Sequence, residues 1–182
     1  MKKDQIRKKF YLIRKKKYSK INFSFFKPLI EIIKQYKNKK KNISIYHPIS
    51  YELDIMQIMQ IKFFKTFNFL LPIIKKDCSM DFYKWSKNDV LKVNHLGIPE
   101  PIKSRIRIPD IILVPILAFD NKKNRLGYGK GFYDRYLNKL KRINNKCLAI
   151  GIAFSFQKHH GLPANNKDYK LDFIITEKGL IK

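Results

Sequence analysis

Apolar residues recur at helical spacing in the first part of the chain. In residues 6–13, and again in residues 30–33, they return at three- and four-residue steps and leave Lys-rich faces on the outside. Such spacing is typical of amphipathic helices. Ser19 and Pro28 favour an interruption between the two stretches. The sequence therefore predicts two helices within residues 5–36.

The rest of the chain alternates between apolar runs and further helical periodicity. Uninterrupted apolar runs predict strands at residues 43–48, 69–74, 80–85, 111–119, 147–154 and 173–176. Helical spacing predicts amphipathic helices at residues 52–67 and 133–143, and residues 97–101 form a Pro-rich connection. Because Pro115 cannot donate a ladder hydrogen bond, the strand at residues 111–119 is expected to bend or end near it.

Strands without polar alternation are typical of a sheet whose two faces are both covered. Because helices separate these strands along the chain, they predict the α/β class, with three α/β/α layers around a mainly parallel or mixed sheet. A chain of 182 residues is long enough to bury one sizeable core and too short for two full domains. Residues 1–182 are therefore expected to form a single domain.

The composition is strongly basic, with 40 Lys and Arg residues against 14 Asp and Glu residues and a formal net charge of +26. Such an excess is typical of proteins that bind nucleic acid. Lys outnumbers Arg, however, and the chain is also rich in Ile, Asn, Phe and Tyr, as a genome-wide nucleotide bias would produce. Because Arg is the residue that reads base edges and grips phosphate with two parallel hydrogen bonds, nucleic acid is not the expected partner. The charge should still attract anions such as ATP.

The cysteines and the apolar runs bear on cellular location. Cys78 and Cys147 lack the spacing of a zinc site or a disulfide framework, so both are expected to be buried structural thiols. No stretch approaches about 18 uncharged apolar residues, and the amino terminus lacks the apolar segment of an export signal. A cytoplasmic protein without a membrane partner is therefore expected.

The most informative segment is residues 125–135, which follows an apolar strand and opens a predicted helix. It contains three of the seven glycines, Gly127, Gly129 and Gly131. Alternate glycines allow positive φ and let backbone N–H groups face a ligand, while the helix N-terminus adds partial positive charge. An anion is therefore the expected occupant of this loop.

Charged side chains in the same segment suit a bound phosphate. Arg125 and Lys130 can neutralise phosphate oxygens, and Asp134 is a candidate Mg²⁺ ligand. The segment is not a Walker A motif, because Lys130 is followed by Gly131, and its G-x-G-x-G spacing differs from the dinucleotide fingerprint. A Gly-rich turn that only reverses the chain is the alternative.

These residues resemble the signature of the 5-formyltetrahydrofolate cyclo-ligase family. The resemblance rests on Leu113-Val114-Pro115, Phe119-Asp120 and residues 125–135, and it extends to Lys3, Arg7, Tyr46, Glu52, residues 97–101, Gln157, Leu162-Pro163, Asp168 and Asp172. It therefore covers nearly the whole chain. The family usually has Gly where this chain has Lys123, and often an aromatic residue where it has Leu96. Asn124 is then the candidate for a positive φ in the turn.

The resemblance implies ATP- and Mg²⁺-dependent cyclisation of 5-formyltetrahydrofolate to 5,10-methenyltetrahydrofolate, which yields ADP and phosphate. The formyl oxygen would accept the γ-phosphoryl group of ATP, N10 of the folate would attack the activated carbon, and phosphate would leave. The protein would mainly position its substrates and neutralise charge. Its partners would be these two small molecules, and a monomer is expected.

The resemblance also implies which residues form the site. The residues expected to bind ATP are Lys3, Arg7, Arg125, Leu126, Gly127, Tyr128, Gly129, Lys130, Gly131, Phe132 and Tyr133. Those expected to bind folate are His47, Glu52, Met80, Tyr128, Gly129, Lys130, Gly131 and Phe132. Arg125, Lys130 and Tyr133 are expected to be catalytic, and Asp134 and Asp168 to hold Mg²⁺. Without the family, Lys3 and Arg7 would be solvated helix charges, and core packing would explain Met80 equally well. His47 and Glu52 would then be surface residues.

Two other functions stay open from the sequence. A basic RNA-associated protein on a retained enzyme scaffold would bind RNA with a steep salt dependence and form no methenyl product. An enzyme that used the same loop for a phosphosugar would act without ATP. His159, His160 and Trp85 are given no role, because adjacent loop histidines lack metal-ligand spacing and a single Trp is usually structural.

Overall fold

The computed structural model describes residues 2–36, 41–102, 105–144 and 146–182. Its α-helices are α1 (Lys3–Lys17), α2 (Lys27–Gln35) and α3 (Phe132–Arg142). Its strands are β1 (Asn42–Ser44), β2 (Asn68–Ile74), β3 (Met80–Lys84), β4 (Leu91–Val93), β5 (Pro99–Pro101), β6 (Ile111–Pro115), β7 (Ala118–Phe119), β8 (Arg125–Leu126), β9 (Leu148–Ile152), β10 (Phe173–Thr176) and β11 (Gly179–Ile181). Short 3₁₀ segments are Phe23–Phe26, Met56–Gln60, Lys62–Phe64 and Ser155–Gln157.

A seven-stranded sheet in the order β11-β10-β9-β6-β1-β2-β3 runs through the described part of the chain. Its inner pairings are parallel, and only the edge strands β3 and β11 run antiparallel to their neighbours. Ile43 of β1 lies between Phe69 of β2 and Ile111 of β6. The chain moves from β1 to β2 on one side and returns to β6 on the other, so the topological switch point lies beyond the carboxyl ends of β1 and β6. The predicted mainly parallel or mixed sheet is confirmed.

Helices and turns cover both faces of this sheet. On one face, α2 and two 3₁₀ segments pack on the strands through Leu29, Ile32, Ile43, Ile58, Phe64, Leu113 and Ile150. On the other face, α3 packs through Leu70, Ile112, Val114, Leu137, Leu140, Ala149 and Ile174. Helix α1 packs beside the sheet on β7 and β8 through Ile6, Phe10, Leu117, Ala118 and Leu126. The predicted α/β class with three layers is therefore confirmed.

The chain bends after β6, as Pro115 predicts. Strand β6 ends at Pro115, and Leu117 N–H then donates to Leu126 O at 2.9 Å. Residues 118–119 form β7, which pairs antiparallel with β8 outside the main sheet. This bend carries the chain out of the sheet at the switch point and leads it into the Gly-rich segment.

The helix predicted at residues 52–67 is wrong. Two 3₁₀ segments, Met56–Gln60 and Lys62–Phe64, occupy this stretch instead. Apolar residues every three positions lie on one face of a 3₁₀ turn as well as on an α-helix, so periodicity alone does not separate the two. Several of these residues are β-branched or aromatic, which lowers helix propensity, and Phe63 and Phe64 pack edge to face.

Strands β4, β5 and β11 were not predicted. The Pro-rich connection at residues 97–101 includes β5, which pairs with β4 in a two-stranded ribbon after a turn at Gly97 with φ of +75°. Strand β11 begins at Gly179, whose φ is +121°. All three strands are only three residues long, too short for an apolar alternation to indicate a strand.

No helix in the described ranges combines the length and apolar character needed to cross a membrane.

Leu137 tests the packing of the helix that carries the candidate site. Its side chain is 1% exposed in the core between α3 and the sheet. We expect Leu137→Ala to lower the free energy of unfolding by about 2–5 kcal/mol, because it leaves a cavity beneath α3. The exposed neighbour Lys139 gives a matched control, since Lys139→Ala should change stability by no more than about 0.5 kcal/mol. Equal urea midpoints for the two variants would contradict this packing.

Candidate active site

Asp120 shapes the turn that leads into the Gly-rich segment. It is 3% exposed, and its Oδ1 accepts hydrogen bonds from the backbone N–H groups of Lys122 at 2.9 Å and Asn124 at 3.0 Å. Lys123 takes the left-handed conformation, with φ of +64°, and its Nζ donates to Asp172 O at 3.0 Å. The expectation that Asn124 supplies the positive φ is therefore wrong. Lys123 itself adopts the left-handed conformation at this turn.

The three glycines of the segment do not share one conformation. Gly129 and Gly131 are left-handed, with φ of +94° and +68°. A Cβ on Gly129 would lie 3.0 Å from Cζ of Arg7, and one on Gly131 would lie 2.9 Å from Nη1 of Arg135. Gly127 lacks a positive φ, and a Cβ there would meet nothing within 4 Å. The predicted left-handed glycines are confirmed at two positions and wrong at Gly127, which borders open space.

The amino-terminal part of α1 lies against this loop. Nε of Arg7 donates to Gly127 O at 2.9 Å, and its Nη1 pairs with Asp4. Nζ of Lys3 forms an ion pair with Oδ2 of Asp168 at 2.6 Å. The structure thus brings both cations to the segments predicted to form the site. Their contact with ATP stays a prediction.

Arg125 and Asp134 form a largely buried ion pair at the base of the loop. Nη2 of Arg125 donates to Oδ1 of Asp134 at 2.8 Å, and its Nη1 donates to Tyr169 O at 2.7 Å. Burial of the guanidinium lowers the pKa of Arg125, and the Asp134 carboxylate opposes that shift. The Arg125 side chain is only 5% exposed, and its ion pair holds the Asp134 carboxylate in place from the interior side of the loop. Its predicted contact with phosphate stays a prediction.

The two predicted metal ligands lie next to each other in the structure. Oδ1 of Asp134 accepts from Tyr169 N–H at 2.9 Å, and Tyr169 directly follows Asp168. Oδ2 of Asp168 is taken by Lys3 and by Asn165 N–H at 2.8 Å. Within the described ranges, the second oxygen of each carboxylate accepts no hydrogen bond, and both side chains are about a quarter exposed, at 27% and 23%.

The carboxylate oxygens of Asp134 and Asp168 could supply part of the coordination shell of Mg²⁺. No group of three or more His, Cys, Asp or Glu side chains in the described ranges could hold a metal ion. Mg²⁺ commonly binds to one or two carboxylates and completes its shell with substrate phosphate oxygens and water. The open oxygens of Asp134 and Asp168 suit that arrangement, so a metal here would depend on a bound phosphate.

Arg135 and Lys130 differ sharply in their surroundings. Arg135 donates to Cys78 O at 2.7 Å and to Lys130 O at 2.7 Å, so it ties the loop to the turn between β2 and β3. The Lys130 side chain is exposed, and no described residue pairs with its ammonium group. That charge is free to meet an anion.

Cys78 is exposed and Cys147 partly exposed, so the expectation of two buried thiols is wrong.

The turn after β1 forms the other side of the site. Ser50 and Tyr51 are consecutive non-Gly residues with φ of +48° and +64°, a conformation that folded proteins often hold at functional sites. A cavity of about 270 Å³ opens here and is lined by Tyr18, Pro48, Ile49, Ser50, Tyr51, Glu52 and Asp54. Because Glu52 is 6% exposed, it is not the surface residue that the sequence alone suggests.

Glu52 is the titratable group of this turn. Oε2 accepts a hydrogen bond from Ile49 N–H at 3.1 Å. Burial raises the pKa of Glu52 from 4.5 to about 7, and this backbone hydrogen bond and the charge of Arg14 oppose the shift. The carboxyl group therefore changes its protonation near neutral pH. Groups with such pKa values cluster at functional sites.

The remaining predicted folate residues lie in different surroundings. Nδ1 of His47 is buried and has no hydrogen-bond partner among the described residues. Met80 is 4% exposed in the core beneath α3, where Phe132 and Tyr133 also pack, and its contact with folate stays a prediction. Burial raises the pKa of Tyr133, and the charge of Glu52 raises it further. The first turn of α3 is thus electrostatically coupled to the turn after β1.

Sequence reasoning missed Arg14, which the structure buries at the centre of the site. Its side chain is 1% exposed and donates to Ser50 O at 2.8 Å, to Ile116 O at 3.2 Å and to the hydroxyl of Tyr128. One signal was available, because Arg14 follows the buried Ile6 and Phe10 at four-residue steps. In a helix dense with Lys, that register did not stand out.

Trp85 and His159 have ordinary structural contacts. Trp85 is 5% exposed in the core, and its indole N–H donates to Asp89 O at 3.2 Å. Nδ1 of His159 accepts from Gly161 N–H at 3.2 Å. That neither residue has a role in catalysis stays a prediction.

Together, these features define an α/β protein of the doubly wound class with an anion-suited loop and a buried carboxylate at its topological switch point. The sequence model of the 5-formyltetrahydrofolate cyclo-ligase family matches residues 1–177. A 5-formyltetrahydrofolate cyclo-ligase of Haemophilus influenzae is 31% identical over 143 residues, which is 75% of each chain.

Solved structures agree with this match. The NMR structure of the 5,10-methenyltetrahydrofolate synthetase of Aquifex aeolicus superimposes with a TM-score of 0.75 at 30% identity and covers 100% of this chain and 93% of that one. A 5,10-methenyltetrahydrofolate synthetase from Mycoplasma pneumoniae gives a TM-score of 0.66 at 25% identity, over 96% of this chain and 98% of that one. The chain belongs to the 5-formyltetrahydrofolate cyclo-ligase family and is a ligase.

The raised pKa of Glu52 predicts a specific dependence of stability on pH. Between pH 4.5 and about 7, the unfolded chain releases the Glu52 proton while the folded chain retains it. This group therefore lowers the free energy of unfolding as the pH rises through that window, by up to about 3 kcal/mol. Glu52→Gln should remove that loss, so the variant gains stability relative to the wild type from pH 4.5 to above pH 7.

Urea denaturation across this pH range provides the measurement. The control is Glu31→Gln, which removes an exposed carboxylate from α2. If Glu52→Gln and Glu31→Gln differ from the wild type by constant amounts at every pH, burial of a titrating Glu52 is excluded.

Proposed function

We propose that this ligase converts 5-formyltetrahydrofolate to 5,10-methenyltetrahydrofolate with hydrolysis of ATP to ADP and phosphate. The observation that carries the proposal is that two differently built sites meet at one switch point. A Gly-rich, amide-lined loop suited to phosphate lies on one side, and a cavity above a buried carboxylate lies on the other. The names of the relatives support the folate reaction.

The phosphate side supplies backbone amides and cations. Gly129 and Gly131 turn the backbone so that N–H groups near the start of α3 are available to an anion. Lys130 is exposed without a partner in the described ranges, and Arg7 already lies against the loop. Phosphoryl transfer needs positioning and charge neutralisation more than covalent chemistry from the protein. These residues offer both.

The chemical sequence follows from the poor leaving ability of a formamide oxygen. That oxygen accepts the γ-phosphoryl group, and the bond between the γ-phosphorus and the bridging oxygen of ADP breaks. N10 then attacks the formyl carbon, and the former formyl oxygen leaves as part of phosphate. The proton on N10 is released, and the protein holds the two substrates in reactive geometry.

Glu52 and the cavity above it suit the folate. A carboxylate in a cavity of about 270 Å³ can accept hydrogen bonds from pterin N–H groups. Such donors favour the ionised carboxylate, so binding should lower the pKa of Glu52 from about 7. His47 follows β1 in the same segment, and its unpartnered Nδ1 gives it a free polar atom among the described residues.

Asp134 and Asp168 would hold Mg²⁺ through their open oxygens. The ion would neutralise charge on the phosphate oxygens during transfer. Arg125 acts from behind, because its ion pair fixes the orientation of the Asp134 carboxylate. Lys3 occupies one oxygen of Asp168 and places a second cation beside the same group.

Gly127 tests whether phosphates occupy the open face of the loop. We expect Gly127→Ala to raise the KM for ATP by roughly tenfold or more, because the new methyl group takes space beside the bound phosphates. Stability should not fall, since Gly127 has an ordinary φ and the methyl group meets nothing within 4 Å. The absorbance of the methenyl product gives the measurement.

Gly161 supplies the matched control for this substitution. It also lacks a positive φ, and a methyl group added there would meet nothing within 4 Å, so Gly161→Ala should leave both KM values and stability unchanged. An unchanged KM for ATP in Gly127→Ala would show that phosphate does not pass this face. Absence of any ATP-dependent methenyl product from the wild type would overturn the proposed function itself and favour the RNA-associated or phosphosugar alternatives.

Asp134→Asn separates charge from architecture. The amide oxygen of Asn can still accept from Arg125 and Tyr169 N–H, so the fold should persist, but the ligand charge is lost. We expect turnover to fall by about 10²–10³-fold, with a higher Mg²⁺ concentration needed for half-maximal rate. Asp89→Asn alters a similar turn-capping carboxylate in the β3–β4 connection and should leave turnover unchanged. Normal Mg²⁺ dependence in Asp134→Asn would remove Asp134 from the metal site.

A further inference from the structure

Arg14 joins three segments that meet at the switch point. It donates to Ser50 O after β1 at 2.8 Å, to Ile116 O after β6 at 3.2 Å and to the Tyr128 hydroxyl in the Gly-rich segment. Its guanidinium also lies over the Tyr128 ring, 5.5 Å from the centroid. A single side chain of α1 thus contacts both the turn that carries Glu52 and the loop suited to phosphate.

The stability of the fold does not by itself explain why this buried position of α1 carries a cation. Arg14 occupies the helical register of Ile6 and Phe10, where an apolar residue would fill the same space. Its Nε is buried and has no partner in the described ranges. Replacing buried charged groups by well-packed apolar ones is often neutral or stabilising. The directed hydrogen bonds of Arg14, rather than its burial, distinguish it from the neighbouring core residues.

We propose that Arg14 is a positioning residue that couples the folate side of the site to the phosphate side, so that each substrate binds more tightly when the other is present. The inference rests on the proposed function. The planar guanidinium fixes Ser50 and Tyr128 in one relative position. Ser50 lies in the turn that carries Glu52, and Tyr128 is itself expected to bind substrate. Ordering one loop therefore lowers the conformational cost of ordering the other, and by linkage the effect is reciprocal.

The coupling is measured by the affinity for 5-formyltetrahydrofolate with and without a non-hydrolysable ATP analogue and Mg²⁺, using titration calorimetry. We expect the analogue to tighten folate binding by about tenfold in the wild type. In Arg14→Met and in Tyr128→Phe this ratio should fall close to one. Lys15→Met is the matched control, because it removes an exposed cation from the next position of α1 and should retain the wild-type ratio.

The double variant Arg14→Met with Tyr128→Phe tests whether the two side chains act through one contact. Because both single variants break the same hydrogen bond, the double variant should weaken folate binding in the presence of the analogue by no more than the larger of the two single effects. Tyr128→Phe also protects the test against misfolding. It removes only a hydroxyl from a residue that is 43% exposed, so its result decides the question if Arg14→Met does not fold.

A pH profile separates positioning from a general structural role. The groups that face Glu52 electrostatically are Arg14, Tyr46, Tyr128 and Tyr133. Of these, Arg14 is the cation that lowers the pKa of Glu52. Arg14→Met should therefore shift the pH dependence of folate binding upward. Arg14→Lys keeps the charge without the planar geometry, so it should keep the wild-type profile and still lose the coupling.

The outcomes distinguish this inference from the proposed function. A wild type that forms methenyl product but shows no coupling, or variants that retain the wild-type ratio, would overturn the role of Arg14 and leave the activity intact. A wild type that forms no methenyl product removes the basis of both. A shifted pH profile in Arg14→Lys would also contradict the division between charge and geometry.

Discussion

The pairing of β1 with β2 on one side and β6 on the other is the constraint on which the site depends. Since β1 lies between these strands in a parallel register, the segments that leave β1 and β6 emerge side by side at the same edge of the sheet. One becomes the turn with Glu52, and the other bends at Pro115 towards the Gly-rich loop. The strand pairing that forms the sheet therefore also forms the site. Hydrogen bonds between main-chain atoms bring together side chains that are far apart in sequence.

Much of the fold followed from the sequence because buried parallel strands leave a strong signal. Strands β2, β6, β9 and β10 are uninterrupted apolar runs, and α3 has a clear amphipathic period. The helix predicted at residues 52–67 was wrong because a spacing of three residues fits a 3₁₀ segment as well as an α-helix. The shortest strands carry no periodicity that could indicate them. Pairing partners, rather than local pattern, decide such elements.

The site was less predictable than the fold. Sequence motifs located the Gly-rich loop, and the structure confirmed left-handed glycines at two of the three positions. Motifs did not indicate that Arg125 would face Asp134, or that Gly127 would border open space, because tertiary contacts decide where a side chain points. Arg14 was missed because the chain contains many Lys and Arg residues. Composition does not distinguish the one that is buried from those that are exposed.

Lys123 has a consequence for how this scaffold tolerates change. A left-handed lysine costs roughly 1–2 kcal/mol relative to glycine, yet here its Nζ is anchored on Asp172 O and its own carbonyl accepts from Leu171 N–H. The turn is thus fixed by contacts with the segment before β10, whereas a glycine would be free to explore other shapes. Lys123 thus holds the bend through contacts made by its own side chain and carbonyl, and the backbone path on which the anion loop depends is fixed by the segment before β10.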